Sequence, residues 1–221
     1  MPSPAPPTPV RDDRDERVFE AVRELLATHG MRLSMDGVAA RAGCSKQTLY
    51  SRYGCKRELL SQAMQLHVSA ATAGLTVCPD QALRSVLLDF ATSYLEQRNR
   101  PQAQQTAQLI GASAHEFRDE ARFIFSGSSE ALRNHVAEWM QTEMRRGRIN
   151  HDDPHFMAEL LISMIAGQDF ERQRFHAPHR DDAQQRRRWA EFAVDGFLRA
   201  FASAQAPHAS TDKNNTRSSS R

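Results

Sequence analysis

Residues 34–54 constrain this chain more than any other stretch. Ser34 opens a very short run that stops at Gly43, and Ser45 opens a second one that ends near Tyr53-Gly54. A serine side chain caps a helix by accepting a hydrogen bond from a backbone N–H of the first turn, and glycine supplies the left-handed residue that ends one. Two capped helices this short, joined by a single glycine turn, describe a helix-turn-helix. In such a unit a few apolar residues anchor the second helix inward while its polar side chains face outward, where a DNA groove can receive them. Val38, Ala39, Ala42, Leu49 and Tyr53 suit the inner face, which leaves Lys46, Gln47, Thr48 and Ser51 for the outer one.

Charge supports this locally. The whole chain carries 29 Lys+Arg against 27 Asp+Glu, a net charge of +2 that argues against bulk polyanion binding. Between Asp36 and Glu58, however, there is no acidic residue, while Arg41, Lys46, Arg52, Lys56 and Arg57 are all basic. Such a run matches a phosphate backbone.

The segment Ser34 to Leu60 resembles the DNA-binding domain of the TetR family. It has the Ala42-Gly43-Cys44-Ser45 turn, Thr48-Leu49-Tyr50, the aromatic Tyr53, and Lys56-Arg57-Glu58-Leu59-Leu60 opening a further helix. Arg57 separates Lys56 from Glu58, and Cys44 and Cys55 stand where the family usually has apolar and small or polar residues. The resemblance implies a dimeric, sequence-specific transcriptional regulator, usually a repressor that a small molecule releases from a palindromic double-stranded operator. Carried over residue by residue, Lys46, Gln47 and Thr48 face the major groove, with Lys46 able to donate to guanine O6/N7 and Gln47 able to pair with adenine. Ser45, Tyr50 and Lys56 hold phosphates. Ser34 and Tyr53 complete the set of DNA-binding candidates.

Around this segment the chain reads as all-α, with about nine helices and no internal repeat. Val18, Val22, Leu25 and Leu26 repeat at helical spacing up to Gly30; Leu83, Leu87, Phe90, Ala91, Tyr94 and Leu95 do so further on. Pro79, Pro101, Pro154, Pro178 and Pro207 punctuate these runs as starters or terminators. Asp152 or Asp153 caps the helix that begins at Pro154. Five of the ten prolines lie within the first nine residues, so 1–13 is expected to be a disordered Pro-rich arm, 14–60 the helix-turn-helix domain, 61–203 a helical effector-binding and dimerisation domain, and 204–221 a disordered tail. Arg11 and Arg14, beside the arm, are candidates for a minor groove, although Asp12, Asp13, Asp15 and Glu16 surround them.

The later part of the chain is more weakly similar to the AefR-like branch of TetR regulators, through Arg146 to Pro154 and the apolar helix after it. Phe117-Arg118-Asp119-Glu120-Ala121 departs from that branch's pattern, so the ligand type does not carry over. By resemblance the last two helices, about 153–174 and 182–201, pair with their two-fold mates, with Phe156, Leu160, Met164, Gly167, Phe192, Gly196 and Phe197 at the dimer interface. An effector, apolar or aromatic, is expected among Phe90, Tyr94, Ile110, His115, Phe117, Phe123, Trp139 and Gln168. Arg145-Arg146-Arg148 and Arg186-Arg187-Arg188 read as solvated faces.

Rival readings are a metal sensor, from His151/His155 and His176/His179; a redox switch, from Cys44 and Cys55 flanking the recognition helix; and a helical scaffold without DNA binding. No Gly-rich phosphate loop, nucleophile elbow or coherent acid/base pair suggests an enzyme, and no cofactor or metal is expected. Met1-Pro2-Ser3-Pro4 has no basic n-region or apolar stretch, no run of about 18 or more apolar residues occurs, and the three cysteines do not make a disulfide framework; a cytoplasmic protein without membrane contact is expected.

Overall fold

The structure, a computed structural model, describes residues 13–75, 81–177 and 179–203. The Pro-rich arm with Arg11, the C-terminal tail, and Cys78, Pro79, Pro178 and Pro207 lie outside the described residues. Among the described residues the fold is all-α with no strand, in ten continuous helical rods, nine of them at least seven residues long. The helices are α1 Asp13–His29, α2 Met35–Ala42, α3 Lys46–Tyr53, α4 Lys56–Thr72, α5 Leu83–Arg98, α6 Pro101–Ser113, α7 Arg118–Phe125, α8 Ala131–Arg145, α9 Pro154–Ala166, α10 Asp169–Arg174 and α11 Ala183–Phe201. A π turn, Ser126–Glu130, joins α7 and α8 into one rod. No helix among the described residues is long and apolar enough to cross a membrane.

The start signals act where the sequence places them. Ser34 accepts from Gly37 N at 3.1 Å and Ser45 from Thr48 N at 3.1 Å, so α2 and α3 each have a side-chain N-cap. Asp153, rather than Asp152, caps α9 by accepting from His155 N and Phe156 N at 2.8 and 3.0 Å, with Pro154 in the first helical position. Gly43 ends α2 at φ +65°, a left-handed conformation that a side chain would strain.

Two apolar cores form. Val18, Phe19 and Val22 of α1, Val38 of α2, Leu49 and Tyr53 of α3, and Leu59 and Met64 of α4 build the first. The second gathers Val68 and Ala71 of α4, Leu87 and Phe90 of α5, Val136 and Met140 of α8, Leu161 and Ile165 of α9, and Val194 and Phe197 of α11. Helix α4 runs unbroken from one core into the other. Helix α1 also packs along α6, where Leu109 Cβ would lie 3.4 Å from a Cβ on Gly30.

Two features depart from the sequence reading. The expected helix 153–174 breaks at Gly167, whose φ of +56° and ψ of −147° are incompatible with helix continuation, and resumes as the short α10. A Cβ there would sit 2.9 Å from both Arg180 and Trp189, so the site also requires glycine sterically. The reading of Arg145-Arg146-Arg148 as a solvated face holds for the exposed Arg145 and is corrected at Arg148. Antiparallel backbone bonds, Asn150 N to Phe201 O at 2.9 Å and Ser203 N to Arg148 O at 3.0 Å, tie this stretch to the end of α11 and turn Arg148 inward. There Arg148 and Arg146 lie 3.1 and 3.4 Å from the carboxylate of Glu143, which is 1% exposed. A second buried pair, Asp169 with Arg180 at 3.0 Å, holds the chain beyond Gly167. Removing one partner of such a pair strands a charge in the interior.

Candidate nucleic-acid interface

Helix α3 has one face for the protein and one for solvent. Leu49 and Tyr53, four residues apart and 1% and 3% exposed, anchor it in the first core, while Lys46, Gln47, Tyr50 and Ser51 are exposed on the other side. Thr48 is half-buried, its hydroxyl 2.8 Å from that of Ser45. Ser34 and Ser45 are exposed but already serve as caps. Tyr53 faces inward: its ring meets Phe19 edge-on at 5.8 Å and its hydroxyl donates to Asp15. Burial, reinforced by the Asp15 carboxylate, raises its pKa above the ordinary phenol value.

The acid-free run is not acid-free in space. Lys46 Nζ bonds Asp36 Oδ2 at 2.6 Å, Arg52 pairs with Asp15, and Arg41 with Glu24. The hydrogen bond to Arg41 holds the Glu24 carboxyl below its usual range. Lys46 and Asp36 are both more than half exposed, so their pair is worth only about 0–1 kcal/mol and yields readily to a phosphate or a base. Lys56 Nζ donates to Met31 O at 2.7 Å, and partial burial lowers its pKa. Arg57 lies over the Phe123 ring, 4.1 Å from its centroid. Sequence spacing reveals the cations of α2, α3 and α4 but not their pairing with these acids, which come from α1 and α2. It also leaves unseen an open depression between α1 and α3, lined by Arg14, Gln47, Thr48, Ser51 and Arg52. Arg14, considered for a minor groove, thus stands beside Gln47 on the face that α3 presents.

Models of two families match this chain: bacterial regulatory proteins of the tetR family over residues 18–63, and the AefR-like transcriptional repressor C-terminal domain over residues 85–203. The chain belongs to the TetR family. It is a DNA-binding transcriptional regulator, and regulators of this family bind DNA operators and act as dimers. Among solved structures, the TetR chain is similar in fold to one from Mesorhizobium loti MAFF303099 assigned to TetR-family regulators, at 22% identity over 86% of this chain and 96% of that one with a TM-score of 0.68. A TetR transcriptional regulator from Agrobacterium tumefaciens matches at 21% identity over 88% and 97%, with a TM-score of 0.68. The flavonoid-responsive regulator FrrA matches at 22% identity over 87% and 98%, with a TM-score of 0.64. No curated protein matches the sequence.

Of the effector candidates of this TetR chain, Phe90, Tyr94 and Trp139 are buried in the second core, with Phe90 and Tyr94 stacked at 6.0 Å. Ile110 and Phe117 are half-buried, and His115 and Gln168 are exposed. Phe123 stands apart from these, on a cleft between α1, α4 and α7. The dimer candidates divide too. Phe156, Leu160 and Phe192 are 75%, 43% and 65% exposed, an apolar surface on α9 and α11 that the protomer leaves open. Phe197 is fully buried in the protomer's own core, Gly196 faces Met164 of the same chain, whose Cε would be 3.2 Å from an added Cβ, and Gly167 is taken up by the break in α9. Cys44 is half-buried and Cys55 exposed. Among the described residues no three His, Cys, Asp or Glu side chains are grouped to hold a metal ion.

Proposed function

We propose that this TetR-family chain is a homodimeric, sequence-specific repressor that acts in the cytoplasm and is released from a palindromic operator by a small apolar or aromatic effector. It acts by binding rather than by catalysis. Residues 14–60 read the DNA, residues 61–203 bind the effector and pair the protomers, and α4 runs through both. The observation that carries this reading is the outward face of α3, where Lys46, Gln47, Tyr50 and Ser51 stand exposed above the anchors Leu49 and Tyr53. Lys46 and Gln47 read base edges; Tyr50 and Lys56 hold phosphates, Lys56 by leaving the Met31 carbonyl. The open surface of Phe156, Leu160 and Phe192 supports a two-fold partner, which sets two α3 helices about 34 Å apart for successive major grooves.

Binding-site selection from random DNA, followed by titrations at two salt concentrations, tests the reading. Lys46→Ala should lose about 1–3 kcal/mol of discrimination at one base position per half-site. Lys56→Ala should weaken every sequence alike and lower the salt slope by about one. Failure to select any sequence would overturn the proposal in favour of a helical scaffold.

A further inference from the structure

A second concave site lies behind the DNA-facing surface, where the N-terminal helices meet α7. It encloses about 200 Å³. Leu26 of α1 and Leu60 of α4 form one part of its wall, Phe123 and Ile124 of α7 another. This is smaller than the roughly 300–1,000 Å³ of sites for drug-sized ligands, which restricts an occupant to about one ring.

The polar part of the lining is unbalanced. Lys56 and Arg57 stand against a single acid, Glu120. The Lys56 ammonium uses one of its three donors, on Met31 O. Arg57 lies over the Phe123 ring, and among the described residues it makes no hydrogen bond or ion pair, so its N–H donors are available. Two cations with spare donors at the rim of an apolar cleft are complementary to a flat apolar body that carries one negative charge.

We propose that this cleft binds a one-ring aromatic carboxylate, with the ring between the leucines and Phe123 and the carboxylate on Lys56 and Arg57. The consequence rests on the DNA-binding role given to Lys56 above. A carboxylate and a DNA phosphate compete for one ammonium, so the ligand weakens DNA binding and operator DNA weakens ligand binding by the same factor.

The test is a fluorine NMR titration of the full chain with 4-fluorobenzoate, with neutral 4-fluorobenzamide as control. The expected result is saturable binding of the acid and at least about tenfold weaker binding of the amide, which lacks the negative charge that pairs with the two cations. Ile124→Trp, which fills the cleft, should abolish binding, and Glu120→Gln should tighten it about threefold by removing the opposing charge. Equal affinity for acid and amide, or an affinity that Glu120→Gln leaves unchanged, would overturn the site even if Ile124→Trp failed to fold. The titration needs no DNA, so it decides the site even where no operator is selected and the repressor reading falls. With an operator in hand, undiminished ligand affinity on saturating DNA would overturn the competition.

Discussion

The two apolar cores belong to regions held in shape by different means. Around the first, α2 and α3 are eight residues each, too short to be stable alone, and they persist because Ser34, Ser45 and Gly43 fix their ends while Leu49 and Tyr53 pin them down. Some charges there lie on the surface in weak pairs, as Lys46 does with Asp36. Around the second core the long helices α5, α8 and α11 run 15 to 19 residues, hold together by packing, and enclose the carboxylates of Glu143 and Asp169. A region that must offer polar side chains to a partner has short elements fixed by local chemistry. A region built by packing long helices against one another is free of such rules, and its residue types say little about what it binds.

The largest expected effect lies in the second core. Phe197→Ala should cost about 3–5 kcal/mol of stability, seen as a lowered thermal midpoint, while the base preference of the folded fraction stays as it was. A shift in that preference would mean that the two regions are less separable than their cores suggest. Next come the exposed apolar residues. Phe156→Glu combined with Phe192→Glu removes surface that the isolated protomer leaves open, so sedimentation should show monomers with helicity retained; an unchanged assembly would remove this face as the dimer interface.

Tyr53→Phe sharpens the comparison at the base of α3. Loss of the hydroxyl bond to Asp15 should cost about 1.5–3 kcal/mol. Because burial and Asp15 raise the Tyr53 pKa, folding favours the neutral phenol. Its contribution is complete below the unfolded value of about pH 10 and is lost as pH rises through the folded one. Denaturant midpoints of the parent should therefore fall above pH 10, and those of Tyr53→Phe should fall less. The smallest effect is assigned to Asp36→Asn. Freeing Lys46 should change stability by less than about 1 kcal/mol yet raise affinity for unrelated DNA, and a stability loss larger than that would show the pair to be structural.

What the sequence revealed follows the same division. Caps, turn and recognition helix were legible because each depends on residues within a few positions of one another. The partners of Arg41 and Arg52 were not, since Glu24 and Asp15 lie 17 and 37 residues upstream and meet them only after α1 folds across α2 and α3. The inward turn of Arg148 depends on a backbone tie to residues 201–203, beyond the reach of any local pattern. The break at Gly167 was hidden because glycine in an apolar run also occurs within intact helices, and only the Trp189 and Arg180 side chains packed against it decide the matter. The effector candidates shared the weakness of all apolar lists. Aromatic residues that fill a core and those that line a cleft have the same spacing, and only the folded chain shows Phe90 buried in the second core and Phe123 half-buried on a cleft beside α4.

The unbroken course of α4 gives the molecule a mechanical ratio. Its 17 residues, from Lys56 to Thr72, extend about 25 Å. If the end near Ala71 is held, a tilt of about 5° displaces the Lys56 end by about 2 Å, more than the span of lengths over which a hydrogen bond survives. A repacking around Ala71 too slight to alter the helical content of the bundle is therefore sufficient to take a side chain at the opposite end out of reach of a phosphate.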